Sequence, residues 1–158
     1  MISNYFAQIP EIDYSDFRLL VEDITSRCPG NIAFRMRAPD ESFREMNYAE
    51  AYRQIRTVAA YLLHSGIGKG DRVGLISENR MEWTIAYLAA VYAGIIVVPF
   101  DIHTSKDGLM TYASFAELSA ILYSDKYREP AAAMADSCPS CSLRVCFDGT
   151  AQETRRER

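Results

Sequence analysis

Apolar residues recur every three or four positions in the first part of the chain, which is the spacing of one face of an α-helix. This pattern predicts a first amphipathic helix over residues 15–28, ended by Pro29 and Gly30. A second and clearer pattern begins after Asn47, a residue type that caps helices, and stops at Gly66. The chain is therefore expected to open with two helices that each bury one face.

A shorter pattern lies between the two helices. Ile32–Met36 is typical of a strand, and the polar residues Pro39, Asp40 and Glu41 are typical of a turn. Arg44–Met46 is then the short return of the chain beside the strand. A small hairpin is the structure that these residues predict.

Beyond Gly66 the pattern changes to short apolar runs that alternate with helical segments. Four runs predict strands: Val73–Ile76, Ile95–Val98, Ala120–Tyr123 and Leu143–Phe147. Three segments between them predict helices: Met81–Ala93, Leu109–Leu118 and Tyr127–Ala135. Strands joined through helices pair in parallel, and continuous apolar strands indicate helices on both faces of the sheet. The expected fold is α/β, an open, mainly parallel, doubly wound sheet preceded by a helix and a small hairpin.

Size and composition agree with one folded unit. The chain has 158 residues, of which 49% are hydrophobic, and its ten Tyr and seven Phe are too many for a disordered protein. We expect one α/β subdomain over residues 1–150, without internal repeats, and a polar tail or cut linker over 151–158. A net charge of -4 without a basic stripe argues against a nucleic-acid partner.

Nothing in the sequence predicts a membrane segment. The first residues lack a basic region followed by an apolar one, and the longest apolar run, residues 94–100, is too short to cross a bilayer. A cytoplasmic protein is expected. Its four cysteines are too few for a disulfide scaffold, so reduced thiols are expected as well.

The glycines at positions 66, 68 and 70 flank Lys69 and suggest a phosphate-binding loop. The order of elements argues against one, because phosphate loops follow a strand and open a helix, whereas this loop follows a helix and precedes a strand. The connection after the first strand of the sheet, Ser77-Glu78-Asn79, carries a carboxylate where phosphate would lie. Ser77 or Asn79 is expected to cap the next helix instead.

Cys138 and Cys141 have the spacing of a metal or redox pair, and Cys146 could add a third thiolate. No fourth ligand is nearby, since His64 and His103 lie elsewhere, and the pair precedes a strand rather than opening a helix. Partly exposed loop thiols are the preferred interpretation.

Two histidines and a group of aromatic residues show no catalytic or binding pattern in the sequence. His64 lies near a helix end and His103 in a loop, and neither has a nucleophile or carboxylate partner in the sequence. Trp83, Tyr87 and Tyr92 lie on a helix that is apolar nearly all round, which predicts packing between layers.

Residues 66–105 contain a distinctive series of positions in a fixed order. A helix ends in glycine, a Gly-Asp-Arg-Val turn starts a strand, an Asn-x-x-x-Trp helix follows, and a glycine leads to a strand ending in proline. The series comprises Gly70-Asp71-Arg72-Val73, Asn79 with Trp83, Gly94 and Pro99. It resembles the adenylate-forming superfamily of acyl-CoA synthetases, luciferases and peptide-synthetase adenylation domains. Met46–Glu50 and Ala120–Asp125 extend the resemblance to residues 15–147, and the Ser-Glu-Asn-Arg-x-Glu-Trp series at 77–83 is most similar to long-chain fatty acyl-CoA synthetases.

The resemblance implies an enzyme that activates a carboxylate with ATP as an acyl-adenylate and transfers it to coenzyme A. ATP, magnesium, coenzyme A and a fatty acid are then expected only for the full enzyme. The family's phosphate loop normally follows the strand placed at Leu143–Phe147, and this chain contains no such segment. The chain is thus expected to have no catalytic, cofactor-binding or metal-binding residue and no activity of its own.

Two functional hypotheses follow. The chain is either the N-terminal part of a synthetase that scaffolds the remainder of the large domain, or a separate α/β module that binds a small ligand or a protein at the carboxyl ends of its strands. In both cases an exposed sheet edge and apolar face favour self-association.

Overall fold

The computed structural model describes residues 16–38 and 40–149. The chain opens with helix α1 (Phe17–Arg27), followed by strands β1 (Ile32–Arg37) and β2 (Phe43–Asn47), which pair antiparallel. The predicted first helix and hairpin are therefore confirmed. Asp16 caps α1, because its carboxylate accepts hydrogen bonds from the amides of Arg18 and Leu19 at 2.7 and 3.1 Å.

Helix α2 (Tyr48–His64) begins with a capping box. The Asn47 side chain accepts from the Glu50 amide at 2.8 Å, and the Glu50 carboxylate accepts from the Asn47 amide at 3.2 Å. The helix ends before Gly66, whose φ of +85° suits glycine and turns the chain toward the sheet.

The remaining elements alternate between strands and helices. Their bounds are β3 (Arg72–Ile76), α3 (Met81–Tyr92), β4 (Ile96–Pro99), α4 (Lys106–Ala116), β5 (Ala120–Tyr123), a 3₁₀ turn (Asp125–Tyr127), α5 (Arg128–Asp136) and β6 (Leu143–Cys146). The strands form one parallel sheet in the order β4-β3-β5-β6. The expected open α/β sheet is confirmed.

Alternate residues of the central strands face opposite layers. Val73 and Leu75 point toward a core shared with α2 and α3, whereas Ile76 and Ile121 point toward a core shared with α4 and α5. Helices thus cover both faces, as the continuous apolar strands predict. The hairpin and α1 pack on a third cluster, formed mainly by α2 and α3, which includes Met46.

The observed bounds differ from the predicted ones where a cap intervenes. Strand β4 starts one residue late, because the amide of Ile95 still donates to the Ala90 carbonyl at 2.9 Å at the end of α3. Helix α4 starts earlier than predicted because the Ser105 hydroxyl accepts from the Gly108 amide at 3.2 Å. It ends before the predicted Leu118, since Glu117 adopts the left-handed region with a φ of 50°. The predicted tail at 151–158 lies outside the described residues.

Candidate functional site

The strand order creates a crevice between β3 and β5. The connection from β3 leads outward to β4, and the next one returns across β3 to β5. Open α/β sheets bind ligands outside the carboxyl ends of the strands at such a reversal. Ser77 follows β3 and Ser124 follows β5, so these residues mark the place where a ligand site is expected.

The carboxylate of Glu78 lies in this crevice and is held there by a hydrogen bond. The buried Ser124 hydroxyl donates to Glu78 Oε2 at 2.6 Å, and the buried Ser77 hydroxyl donates to the Glu78 carbonyl at 3.0 Å. Burial disfavours the charged form of Glu78, but the hydrogen bond from Ser124 and the nearby Arg80 outweigh burial and hold its pKa below the usual value. A phosphate at this position would meet an ionised carboxylate.

Arg80 is the hub of a larger polar network beside the crevice. Its guanidinium lies 2.9 Å from Glu82 Oε2, 2.8 Å from Asp148 Oδ1 and 3.6 Å from Glu78 Oε1. Its side chain is only 18% exposed, and the guanidinium carbon lies 5.9 Å from the centre of the Phe147 ring. Residues from the end of β3, the start of α3 and the end of β6 therefore meet at one cation.

The hairpin joins the same network through Arg44. Its Nη1 lies 2.7 Å from Glu82 Oε1, so the two oxygens of Glu82 are held by two arginines. Burial alone would raise the pKa of Glu82. The hydrogen bonds from Arg80, from the backbone and from Arg44 have a larger, opposite effect, and together they lower the pKa to about 2. Three carboxylates face two arginines here, an arrangement that does not favour binding of a phosphate or carboxylate ligand.

The sequence predicts no site residue, and its patterns do not reveal this network. The local signal is the Ser-Glu-Asn-Arg series, which predicts a connection that caps the next helix. That interpretation is wrong in detail, because the residue at the start of α3 is Arg80 and no side chain caps the helix. The Ser77 hydroxyl donates to the Glu78 carbonyl instead, and Asn79 is exposed.

The glycine loop lies at the opposite, amino end of the strands. The Gly68 amide donates to Asp71 Oδ2 at 2.7 Å, and Ser119 donates to Asp71 Oδ1 at 3.1 Å. Gly70 has a φ of +88°, and its amide donates to the Gly94 carbonyl at 3.1 Å. Asp71 thus organises a turn that joins α2 to the sheet.

The cysteines are more deeply buried than expected. Cys138 and Cys141 were predicted to be partly exposed loop thiols, but both are buried. Cys138 Sγ donates to the Leu118 carbonyl at 3.3 Å, which draws the loop against the end of α4. Within residues 16–38 and 40–149, no group of three His, Cys, Asp or Glu side chains is placed to hold a metal ion.

The two histidines lie on the surface, and three aromatic residues of α3 contribute to packing. His64 and His103 are both exposed, and the His103 amide donates to Asp101 Oδ1 at 2.9 Å. Trp83 and Tyr87 stack with ring centres 5.5 Å apart against the α2 and α3 core, and the Tyr92 hydroxyl donates to Glu22 at 2.9 Å. The packing role predicted for these aromatic residues is confirmed.

A second concave feature is apolar. A cavity of about 370 Å³ lies between α2, α3 and the last strands of the sheet. We call it the α2–β6 groove, and its lining includes Val58, Tyr61, Ile85, Val145, Phe147 and Gly149. No helix in the described part of the chain is both long and apolar enough to cross a bilayer.

The comparisons with known proteins decide the family. The model of the AMP-binding enzyme family matches residues 21–157. The chain belongs to the AMP-binding enzyme family. Two family relatives illustrate its range. A medium/long-chain-fatty-acid–CoA/3-oxocholest-4-en-26-oate–CoA ligase of Mycobacterium marinum is 27% identical over 113 residues, 71% of this chain and 20% of the ligase. A polyketide synthase-nonribosomal peptide synthetase of Aspergillus clavatus is 28% identical over 133 residues, 84% of this chain and 3% of that protein.

Solved structures show the same fold. The N-terminal domain of FACL13 from Mycobacterium tuberculosis superposes with a TM-score of 0.75 at 20% identity, covering 85% of this chain and 34% of that domain. Coronafacic acid ligase from Pectobacterium brasiliense gives a TM-score of 0.77 at 16% identity, covering 87% of this chain and 27% of the ligase. The α/β arrangement is that of the N-terminal subdomain of adenylate-forming enzymes. This AMP-binding chain spans about a fifth or less of the two curated relatives described above.

Proposed function

We propose that this chain is the N-terminal part of an ATP-dependent, AMP-forming acyl-CoA synthetase that activates a fatty acid as an acyl-adenylate and transfers it to coenzyme A. The observation that carries the proposal is the family match over residues 21–157, together with the similarity to a fatty-acid ligase of which the matched 113 residues are only 20%. ATP, magnesium and coenzyme A are proposed as cofactors of the longer enzyme and not of this chain. The longer enzyme is proposed to be cytoplasmic.

The chain alone is proposed to be inactive. Adenylation needs groups that position the triphosphate and stabilise its charge. The crevice where an α/β sheet offers such groups holds the Glu78 carboxylate, and Arg80 is already paired with Glu82 and Asp148. This geometry also counts against the alternative of a small-ligand module that uses the same crevice.

The role proposed for the chain is to scaffold the remainder of the synthetase large domain. The α2–β6 groove lies beside β6, which is an outer strand of the described sheet. Residues 150–158 contain only one hydrophobic residue, Ala151, so they lack the side chains to fill an apolar groove. The chain that the longer relatives carry beyond the matched part is the occupant we propose for it.

The reading frame of the gene beyond codon 158 tests the proposal. We expect it to continue through a segment rich in Ser, Thr and Gly that ends in Pro-Lys, in a protein several times longer than this chain. A stop codon directly after Arg158, with a native protein of 17.8 kDa, would favour a separate module instead.

A further inference from the structure

The turn that follows β6 is held from several sides. The Phe147 amide donates to the Tyr123 carbonyl at 2.8 Å, which continues the pairing of β6 with β5. Asp148 Oδ2 then accepts from the Asp125 amide at 2.9 Å, and the Gly149 amide donates to the Cys146 carbonyl at 3.4 Å. We call residues 147–149 the exit turn, because the chain leaves the sheet through it.

Arg80 is the side chain that ties the exit turn to the centre of the sheet. Its Nη1 lies 2.8 Å from Asp148 Oδ1 and 3.0 Å from Asp148 Oδ2, and its guanidinium lies over Phe147. It therefore contacts two successive residues of the exit turn by different interactions, one ionic and one with a ring face. Both contacts start from the junction between β3 and α3, 67 and 68 positions earlier in the chain.

Other residues fix the orientation of Arg80 itself. Glu82 accepts from its Nε at 2.9 Å, and Arg44 holds the other oxygen of Glu82 at 2.7 Å. Glu78 lies 3.6 Å away on the crevice side. Such an arrangement uses the separate donors of a planar guanidinium, which a lysine ammonium does not reproduce.

We propose that Arg80 is a positioning residue that sets the direction in which the chain leaves β6 at the carboxyl edge of the sheet. This edge is where open α/β folds place their ligand sites, so Arg80 fixes the exit turn relative to that edge. The consequence for catalysis rests on the proposed function, in which further chain follows. The positioning itself belongs to the 158-residue chain and is measurable there.

The experiment is amide hydrogen exchange of the 158-residue chain followed by two-dimensional NMR. In Arg80→Met, we expect the Asp125 and Phe147 amides to exchange about tenfold faster or more, which is the size expected from loss of a charge-assisted hydrogen bond. Amides in the centre of β3 should change much less. Arg80→Lys should restore part of the protection, because lysine keeps the positive charge but lacks the separate donors of a planar guanidinium.

Arg35→Met is the matched control. Arg35 also pairs with a carboxylate, Glu45 at 2.6 Å, and covers an aromatic ring, Phe43 at 5.6 Å, but it lies on the hairpin. Its removal should leave the exit turn unchanged. If Arg80→Met does not fold, Asp148→Asn removes the ion pair from the other partner, and the Phe147 amide is then the readout, because Asp148 itself accepts from the Asp125 amide.

The two contrary outcomes are distinct. Unchanged exchange at Asp125 and Phe147 in folded Arg80→Met, or at Phe147 in Asp148→Asn, would overturn the positioning role. Uniformly faster exchange over the whole sheet would also overturn it, since that result indicates a general loss of stability. Neither outcome bears on the proposed function, which is decided by the reading frame and by assay of the longer protein.

Discussion

The hydroxyl of Ser124 donates a 2.6 Å hydrogen bond to the carboxylate of Glu78, and this bond closes the crevice between the two central strands. Ser124 is buried and follows β5, whereas Glu78 follows β3. The position at which this fold class binds ligands is thus used for internal contacts.

Removal of this bond should destabilise the protein measurably. Ser124→Ala leaves the Glu78 carboxylate without its shortest donor, so we expect a loss of about 1–2 kcal/mol in the free energy of unfolding by urea denaturation. Ser42→Ala is the matched control, because Ser42 makes an equally short bond to Asp40 on the exposed surface, and it should change stability by less than about 0.5 kcal/mol. Equal losses of stability in the two variants would contradict the expectation that the bond of the buried serine contributes more than the exposed one.

The Arg80 network predicts a specific dependence of stability on pH. The pKa of Glu82 falls from 4.5 to about 2 on folding, so the unfolded state binds the proton more tightly. The stabilisation is therefore complete above pH 4.5 and is lost as the pH falls toward 2. Urea midpoints measured from pH 7 to pH 2 should decline over this window.

Glu82→Gln should flatten that decline, since the substituted side chain does not titrate. Glu129→Gln serves as the control, because Glu129 pairs with Lys106 on the surface with its side chain 84% exposed. A pH profile that is the same in wild type and Glu82→Gln would show that Glu82 is not stabilised by its arginines.

Gly74 occupies a position in β3 with no room for a side chain. A Cβ there would lie 2.8 Å from Leu118 Cδ1 and 3.1 Å from Phe100 Cε2. Since Leu118 is fully buried, it has little space to move, and Gly74→Ala should destabilise the protein by about 1–3 kcal/mol. Gly30→Ala is the control, because nothing lies within 4 Å of its Cβ, and thermal unfolding should separate the two variants.

The isolated chain is expected to self-associate, because the α2–β6 groove is apolar and β6 is an outer strand of the described sheet. Sedimentation velocity should show oligomers that increase with protein concentration. Tyr61→Lys, at the groove, should reduce them, whereas Tyr112→Lys on the outer face of α4 should not. A monomer at every concentration would contradict this expectation, and a larger effect of Tyr112→Lys would place the interface on α4.

Local patterns in the sequence predicted the architecture because they act over a few residues. The capping box of Asn47 and Glu50 and the turn at Gly66 define α2 within one short segment. Alternation of strands with helices likewise requires parallel pairing, whichever strand lies beside which. The elements and the fold class were therefore accessible before the structure.

The polar network around Arg80 could not be predicted from local patterns in the sequence. Arg80 and Asp148 lie 68 positions apart, and they meet only because β5 and β6 lie on the side of β3 away from β4. The apolar pattern does not determine that order. The burial of Cys138 was missed for a related reason, since its partner is the carbonyl of Leu118 on another connection.

The most direct test of the account is carboxylate-dependent ATP–pyrophosphate exchange, measured on the native protein captured with an antibody to residues 106–136 and, in parallel, on the purified 158-residue chain. We predict exchange with fatty acids by a native protein several times longer than this chain, and none by the chain alone. Exchange catalysed by the 158-residue chain, or a longer native protein without any exchange over a panel of carboxylic acids, would contradict the account.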